Sequence, residues 1–257
     1  MTASSHTTRA HSFNAAAAQY AANRPSYPSA LFDAIEDLAG RPLEGARVAD
    51  IGAGTGIATA LLHARGADVI AVEPGDGMAA QLHCSLPHVP LVRGDGNALP
   101  LATASVDLLT YAQAWHWTDP ARAVPEARRV LRPGGALALW WNMHAVDVPW
   151  IIDQAERIRH HFNGEYSNAQ GASRSRTAQA FEGAPTVPAH EHRVVRWSRS
   201  VPIDRHLANI GSHSIFLVQG ESATKDFLAR EREHLLKEFP NGEVEEVYDV
   251  LLIVATP

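Results

Sequence analysis

Short apolar runs alternate with amphipathic stretches along the first 142 residues. From Ser29, the positions Leu31, Phe32, Ile35 and Leu38 recur at helical spacing until Gly40, which predicts an amphipathic helix. The pattern then predicts strand 47–51, helix 57–65, strand 68–73, helix 78–86, a short strand 90–93 and strand 106–112. A helix over 120–131 follows, stopped by Pro133-Gly134-Gly135, and then strand 136–141. Pro125 lies inside that helix, where its missing N–H predicts a kink or a late start.

Beyond Asn142 the periodicity is less regular. It predicts helices 149–162, 204–218 and 222–238 and strands 194–201 and 246–255. The span 163–188, rich in Gly, Ser, Ala and Gln, is longer than ordinary connections and reads as a flexible lid. Residues 1–12 are polar and aperiodic, a mobile tail. Strands that alternate with helices at this spacing imply βαβ units and an α/β, doubly wound, mostly parallel sheet. Such sheets bind ligands outside the carboxyl ends of their strands, so the loops after Ile51, Val72, Val92, Tyr111 and Trp141 should converge on one cleft.

Composition narrows the class. With 257 residues, 46% hydrophobic and 19% charged, the chain has ordinary globular usage, and 18 Gly and 16 Pro exclude collagen-like or low-complexity character. The net charge of −6 and the absence of a basic run argue against nucleic acid as a partner. A single cysteine, Cys84, excludes a disulfide framework and Cys-rich zinc modules, and no metal centre is expected. The apolar runs 136–141 and 250–256 are too short to span a bilayer, and the N-terminus lacks a secretory apolar core, so a cytoplasmic protein without membrane contact is expected.

Three loops carry candidate chemistry. Asp50-Ile-Gly52-Ala53-Gly54-Thr-Gly56 sits at a strand-to-helix junction, where glycines let a ligand approach the backbone and the helix offers free N–H groups. Its spacing departs from the dinucleotide fingerprint G-x-G-x-x-G, because position 57 is Ile and the third glycine comes early. An acid before the first glycine would repel a pyrophosphate and suits a cationic ligand. Glu73 ends the next strand, 21 residues after Gly52, where a carboxylate can accept both ribose hydroxyls; the alternative is a helix-terminal acid before Pro74. Gly94-Asp95-Gly96-Asn97-Ala98-Leu99-Pro100 follows the third strand, and Asp95 could take an adenine amino group or simply close a turn.

Together with the Val130-Leu-Arg-Pro-Gly-Gly135 turn, these loops resemble the class I S-adenosylmethionine-dependent methyltransferases over residues 48–142. The resemblance implies a Rossmann-like seven-stranded sheet with an antiparallel last strand, an N-terminal helical cap and helical insertions after strand 5. It implies S-adenosyl-L-methionine as cofactor, with Asp50, Gly52, Ala53, Gly54 and Gly56 cradling the methionine and ribose portions. Glu73, flanked by Pro74 and Met78, would then hold the ribose, and Asp95 and Gly96 the adenine, with Gln113 beside them. Phe13-x3-Ala17-x2-Tyr20-x3-Arg24-Pro25-x-Tyr27-Pro28 and Ala112-Gln113-Ala114-Trp115-His116-Trp117 are similar to a narrower group of small-molecule methyltransferases, including fungal trans-aconitate and cantharidin-detoxifying enzymes. There the N-terminal segment is implied to cap the cofactor, making Tyr20 and Arg24 candidates for its carboxylate or a substrate anion.

Methyl transfer from a sulfonium asks for positioning and a dry site, and for a general base only where the acceptor must lose a proton. His116, between two tryptophans just beyond the fourth strand, is the first candidate base; His144 and His213 are alternatives among 14 histidines. Trp115, Trp117 and Trp141 are candidates to wall a substrate pocket, with Trp140 divided between rim and core. The expected division is one domain over 1–257: a tail and cap (1–46), a cofactor core (47–142), and a substrate roof that completes the sheet (143–257). A small-molecule acceptor, in the manner of secondary metabolism, is the leading expectation, with no nucleic acid or membrane partner and a monomeric or homodimeric state. The alternatives are a tRNA or protein methyltransferase, a non-catalytic regulatory homologue, and a nicotinamide-dependent dehydrogenase.

Overall fold

The computed structural model describes residues 23–164, 176–177, 179–219 and 221–257. The expected tail, the position of Tyr20, and 165–175 and 178 of the expected lid lie outside the described residues. Helix α1 (Ser29–Ala39) buries Leu31, Phe32, Ala34 and Ile35 on one face, as its periodicity requires. Strand β1 (Arg47–Ile51) leads into α2 (Ile57–Ala64), β2 (Asp68–Glu73), α3 (Asp76–Ser85), β3 (Leu91–Arg93) and β4 (Val106–Ala112). A 3-10 turn (Trp115–Trp117) and α4 (Pro120–Val130) then precede β5 (Leu131–His144).

Helix α4 starts at Pro120 with Asp119 as its cap, the Asp119 carboxylate accepting the Ala121 N–H at 3.0 Å, and it runs through Pro125 without a late start. Pro125 has no N–H to offer the Ala121 carbonyl four residues earlier, and burial of Ala123, Val124 and Ala127 carries the helix across that gap. Strand β5 begins five residues earlier than the alternation predicts. Val106 pairs with Leu131 and Leu108 with Ala136, so the Pro-Gly-Gly segment is a bulge inside the strand pairing.

After β5 come α5 (Pro149–His161), β6 (Ala189–Pro202), α6 (Ile203–Gly211), α7 (Ser214–Gln219), α8 (Glu221–Glu238) and β7 (Glu243–Thr256). The predicted helix 204–218 is thus two helices, broken at Ser212 and His213. The strands form one seven-stranded sheet in the order β3-β2-β1-β4-β5-β7-β6, six parallel and the last antiparallel, the Rossmann-like doubly wound arrangement. Connections reverse direction between β1 and β4, which opens a crevice at their carboxyl ends.

Internal contacts divide the described residues into two compact units. The first holds 26–142, 176–195 and 250–257 and contains strands β1 to β4. Its centre is made by Val48, Ala49, Ile51, Leu108, Leu109, Leu137 and Leu139, each essentially inaccessible to water. Runs of consecutive buried positions are what a parallel sheet covered on both faces demands. The second unit holds 23–25, 143–164 and 196–249. Its helices pack Ile158, Phe162, Ile210, Phe216 and Phe227 into one cluster, and Ile203, Leu207, Leu235 and Val244 into another. No described helix is long and apolar enough to cross a membrane.

Candidate functional site

The glycine loop closes β1 in the first unit. Gly52 adopts φ +66° and Gly54 φ +59°, left-handed conformations that glycine enters without penalty. A Cβ on Gly52 would stand 2.6 Å from the Ala114 Cβ, so the loop after β4 abuts the loop after β1. A Cβ on Gly54 would meet only the Gly52 carbonyl oxygen, at 4.0 Å, which leaves that backbone open to a ligand. Beside it the buried Thr55 hydroxyl has no hydrogen-bond partner among the described residues, a polar group that a ligand could satisfy. Ala53 is buried against Ala71, Leu82 and Val89. Gly56 caps α2.

Asp50 lies beneath this loop, fully buried, accepting from the Thr59 hydroxyl at 2.7 Å and the Thr110 hydroxyl at 2.9 Å. Burial pushes its pKa up from 3.8 to about 6; the two hydroxyls pull the other way, and the nearby Glu73 charge adds to the rise. Its oxygens face the protein, so Asp50 acts on the loop from below.

Glu73, also buried, accepts the Gly54 N–H at 2.8 Å with one oxygen and the Gly75 N–H at 2.7 Å with the other. Burial raises its pKa, and those two N–H groups and the Arg93 charge oppose the rise. The carboxylate therefore ties the first loop to the second and keeps further lone pairs for a diol. Pro74 is exposed, its carbonyl taken by Arg93, and Met78 is buried in α3.

The third loop is a turn around Asp95, whose Oδ1 accepts the Asn97 backbone N–H at 2.9 Å and the Asn97 side-chain amide at 3.0 Å. Glu126 and Arg129 of α4 hold its far end, through the Leu99 N–H at 2.8 Å and the Leu99 carbonyl at 3.0 Å. Gly96 lies under Thr118, Tyr111 and Ile51, and its carbonyl accepts the Tyr111 hydroxyl at 3.2 Å. These contacts bring the three predicted loops together at one edge of the sheet.

At the end of β4, Gln113 adopts φ +58°, a strained conformation for a side chain that large, and its amide donates to the Asn142 carbonyl at 3.3 Å. Trp115 is core: it packs edge-on to Tyr111 and near Phe181, and its indole N–H donates to the Ala180 carbonyl at 2.6 Å. Trp140 is core too, between Tyr27 and Phe32. Trp141 donates its indole N–H to His116 Nδ1 at 3.3 Å, while Trp117 tilts against the His116 ring at 4.7 Å. Accepting from the Trp141 indole at Nδ1, the His116 ring carries its proton on Nε2 when neutral.

His144 and His213 belong to the second unit, where both line a small pocket with Gln154 and the apolar Ile151, Ile158 and Ile210. Burial pushes the His144 pKa down to about 4 and that of His213 well below its ordinary value, and the Arg24 charge lowers both. Arg24 itself donates to the Ser212 carbonyl at 3.2 Å. The sequence reading missed a buried network in this unit. There Glu246 takes His206 Nδ1 at 2.7 Å and Arg199 at 2.6 Å, and Glu231 takes Arg157 at 2.6 Å. In the first unit it also missed Thr59 and Thr110 as partners of Asp50, and Arg176, whose guanidinium lies 5.7 Å from the centre of the Trp141 ring.

Comparisons with known proteins agree with this geometry. Residues 49–139 match the family model described as a methyltransferase domain. An uncharacterised methyltransferase of Mycobacterium tuberculosis is 45% identical over 147 residues, 57% of this chain and 58% of the relative. Malonyl-[acyl-carrier protein] O-methyltransferase of Methylococcus capsulatus is 41% identical over 136 residues, 49% of this chain and 48% of that protein. The chain spans about half the length of the curated relatives it matches. A solved structure from Anaeromyxobacter dehalogenans, assigned as a type II methyltransferase, shares the fold at a TM-score of 0.63 and 23% identity, covering 90% of this chain and 97% of the other. Residues 49–139 thus match a methyltransferase domain, on a seven-stranded sheet in the Rossmann-like order, and are similar over that span to the class I S-adenosylmethionine-dependent methyltransferases.

Proposed function

We propose that the protein binds S-adenosyl-L-methionine at the loops after β1, β2 and β3 and transfers its methyl group to a small-molecule acceptor. One observation carries the reading: the buried Glu73 carboxylate, anchored by the Gly54 and Gly75 N–H groups, stands at the crevice where the strand order reverses. When bound, the cofactor supplies an electrophilic methyl on a sulfonium. The open backbone at Gly54 and the unpartnered Thr55 hydroxyl fit its amino-acid end. Glu73 fits the ribose diol, and the exposed Asp95 fits the adenine amino group. Asp50 places a carboxylate under the loop that would hold the cationic part, through the loop's backbone.

His116 orients in this scheme and does not remove a proton, because its basic nitrogen is occupied by the Trp141 indole. An acceptor already anionic or lone-pair bearing suits that arrangement. The net charge of −6 favours a small molecule over nucleic acid.

Calorimetric titration with S-adenosylhomocysteine tests the reading. The wild type should bind, and Glu73→Ala should lose at least about tenfold in affinity, the equivalent of one hydrogen bond to a charged group. A wild type that does not bind S-adenosylhomocysteine would sink the proposal.

A further inference from the structure

Among the described residues, three besides glycines hold a left-handed backbone: Ala104, Gln113 and Asn163. Ala104 and Asn163 lie in exposed turns, whereas Gln113 is part-buried at the end of β4. Two hydrogen bonds pin it there. Its backbone N–H donates to the Trp140 carbonyl at 2.9 Å, which carries the pairing with β5 past Ala112, and its side-chain amide donates to the Asn142 carbonyl at 3.3 Å. A Cβ in this conformation is crowded by the following carbonyl, and such strain persists only where the surroundings over-determine it.

What the strained residue delivers is its successor. The Ala114 Cβ stands 2.6 Å from the point where a side chain on Gly52 would begin. Gly52 is itself left-handed, at φ +66° against +58° for Gln113. Strands β1 and β4 pair in register up to Asp50 and Thr110, so the two reversals stand side by side where the strand order changes direction. A glycine would make the turn at position 113 without strain, as it does at Gly52. Glutamine adds an amide that reaches Asn142, and the Asn142 side chain in turn donates to the Ser26 carbonyl at 3.0 Å. The clamp thus runs from the end of β4 through the end of β5 to the residues ahead of α1, all inside the first unit.

We propose that Gln113 is a positioning residue for the cofactor site. Its left-handed backbone, locked by the hydrogen bond to Asn142, fixes Ala114 against Gly52 and so sets the loop that would take the amino-acid end of the cofactor. The strain lowers stability and holds the loop in its binding shape before the ligand arrives. The proposal rests on the reading of the three loops as the cofactor site.

Two variants, Q113G and Q113M, separate the contributions. Both lose the donor to Asn142, but Gly also loses the strain and Met keeps it. Urea unfolding should find Q113G more stable than Q113M, the reverse of the order at an unstrained position. Calorimetric titration should nevertheless find S-adenosylhomocysteine bound about tenfold more weakly by Q113G than by the wild type, the equivalent of ordering one residue's backbone. Affinity for 5′-methylthioadenosine, which lacks the amino-acid end, should be the same in both proteins. A Q113G with wild-type affinity for S-adenosylhomocysteine, a Q113M at least as stable as Q113G, or an equal loss for the two ligands would overturn the proposal. Failure of the cofactor reading is a separate result, the absence of S-adenosylhomocysteine binding by the wild type.

Discussion

Replacing Asp50 by Asn should make the protein more stable at neutral pH, relative to the wild type, than it does in acid. The wild-type carboxyl titrates at about 6 in the folded protein against an ordinary 3.8, chiefly because it is buried. Between those values the folded protein holds a proton that the unfolded chain has released. Stability from this group is therefore fully present below pH 3.8 and is lost as the pH rises to 6. A shift of about 2 units at 1.36 kcal/mol each makes the ionised form cost roughly 3 kcal/mol at pH 7.

Asn keeps the shape without the charge. The Thr110 hydroxyl, 3.5 Å from the Ala49 carbonyl, can turn its hydrogen there and accept from the new amide while Thr59 goes on donating. Titrating groups remote from Asp50, His144 among them, move both proteins alike, so the quantity to follow is the difference between the two unfolding free energies. Urea unfolding at intervals from pH 4.5 to 7.5 should show that difference rising by about 2 kcal/mol and levelling off above pH 6. A difference that stays flat across this range would refute the assignment of the perturbed carboxyl to Asp50.

Two further substitutions probe the frame. Gly52→Ala forces a side chain to φ +66° and against Ala114, so it should destabilise by about 2 kcal/mol or more and abolish S-adenosylhomocysteine binding. Adding Ala114→Gly should recover the steric part and leave about 1 kcal/mol of backbone strain, measured by urea unfolding. In the second unit, Glu246→Gln leaves Arg199 and His206 without their charge partner and should cost about 3–5 kcal/mol. The Glu246 pKa is depressed from 4.5 to about 2, so its contribution is present above pH 4.5 and is lost as the pH falls toward 2; thermal melts of the variant should lack that slope.

Strand β1, helix α1, β2 and β4 were legible in the sequence to within a residue, because each puts its apolar positions on a face that is buried. The bulge at Pro133-Gly134-Gly135 was read as a boundary, since a pattern of side chains cannot distinguish a stop from a break inside a paired strand. The helix predicted over 204–218 reads as one because its apolar positions continue past the break; at Ser212 the hydroxyl turns back to the Asn209 carbonyl, and the Ser212 carbonyl takes Arg24, a partner 188 residues away in sequence. At the site, the three loops were visible through their glycines and acids. What holds them was not: Thr59 and Thr110 are ordinary residues until Asp50 is folded between them. Arg176 carries no signal beyond its type, and its place near the Trp141 ring exists only in three dimensions.

One carboxylate, that of Glu73, shapes the glycine loop through the Gly54 and Gly75 N–H groups and, under the proposed function, would also hold the ribose. Architecture and recognition are therefore written in a single codon. A lineage of such proteins could not shed cofactor binding by gradual weakening at this position while keeping the loop ready for use. Under the proposed function, loss at this position would come in one step, with the loop and the binding going together.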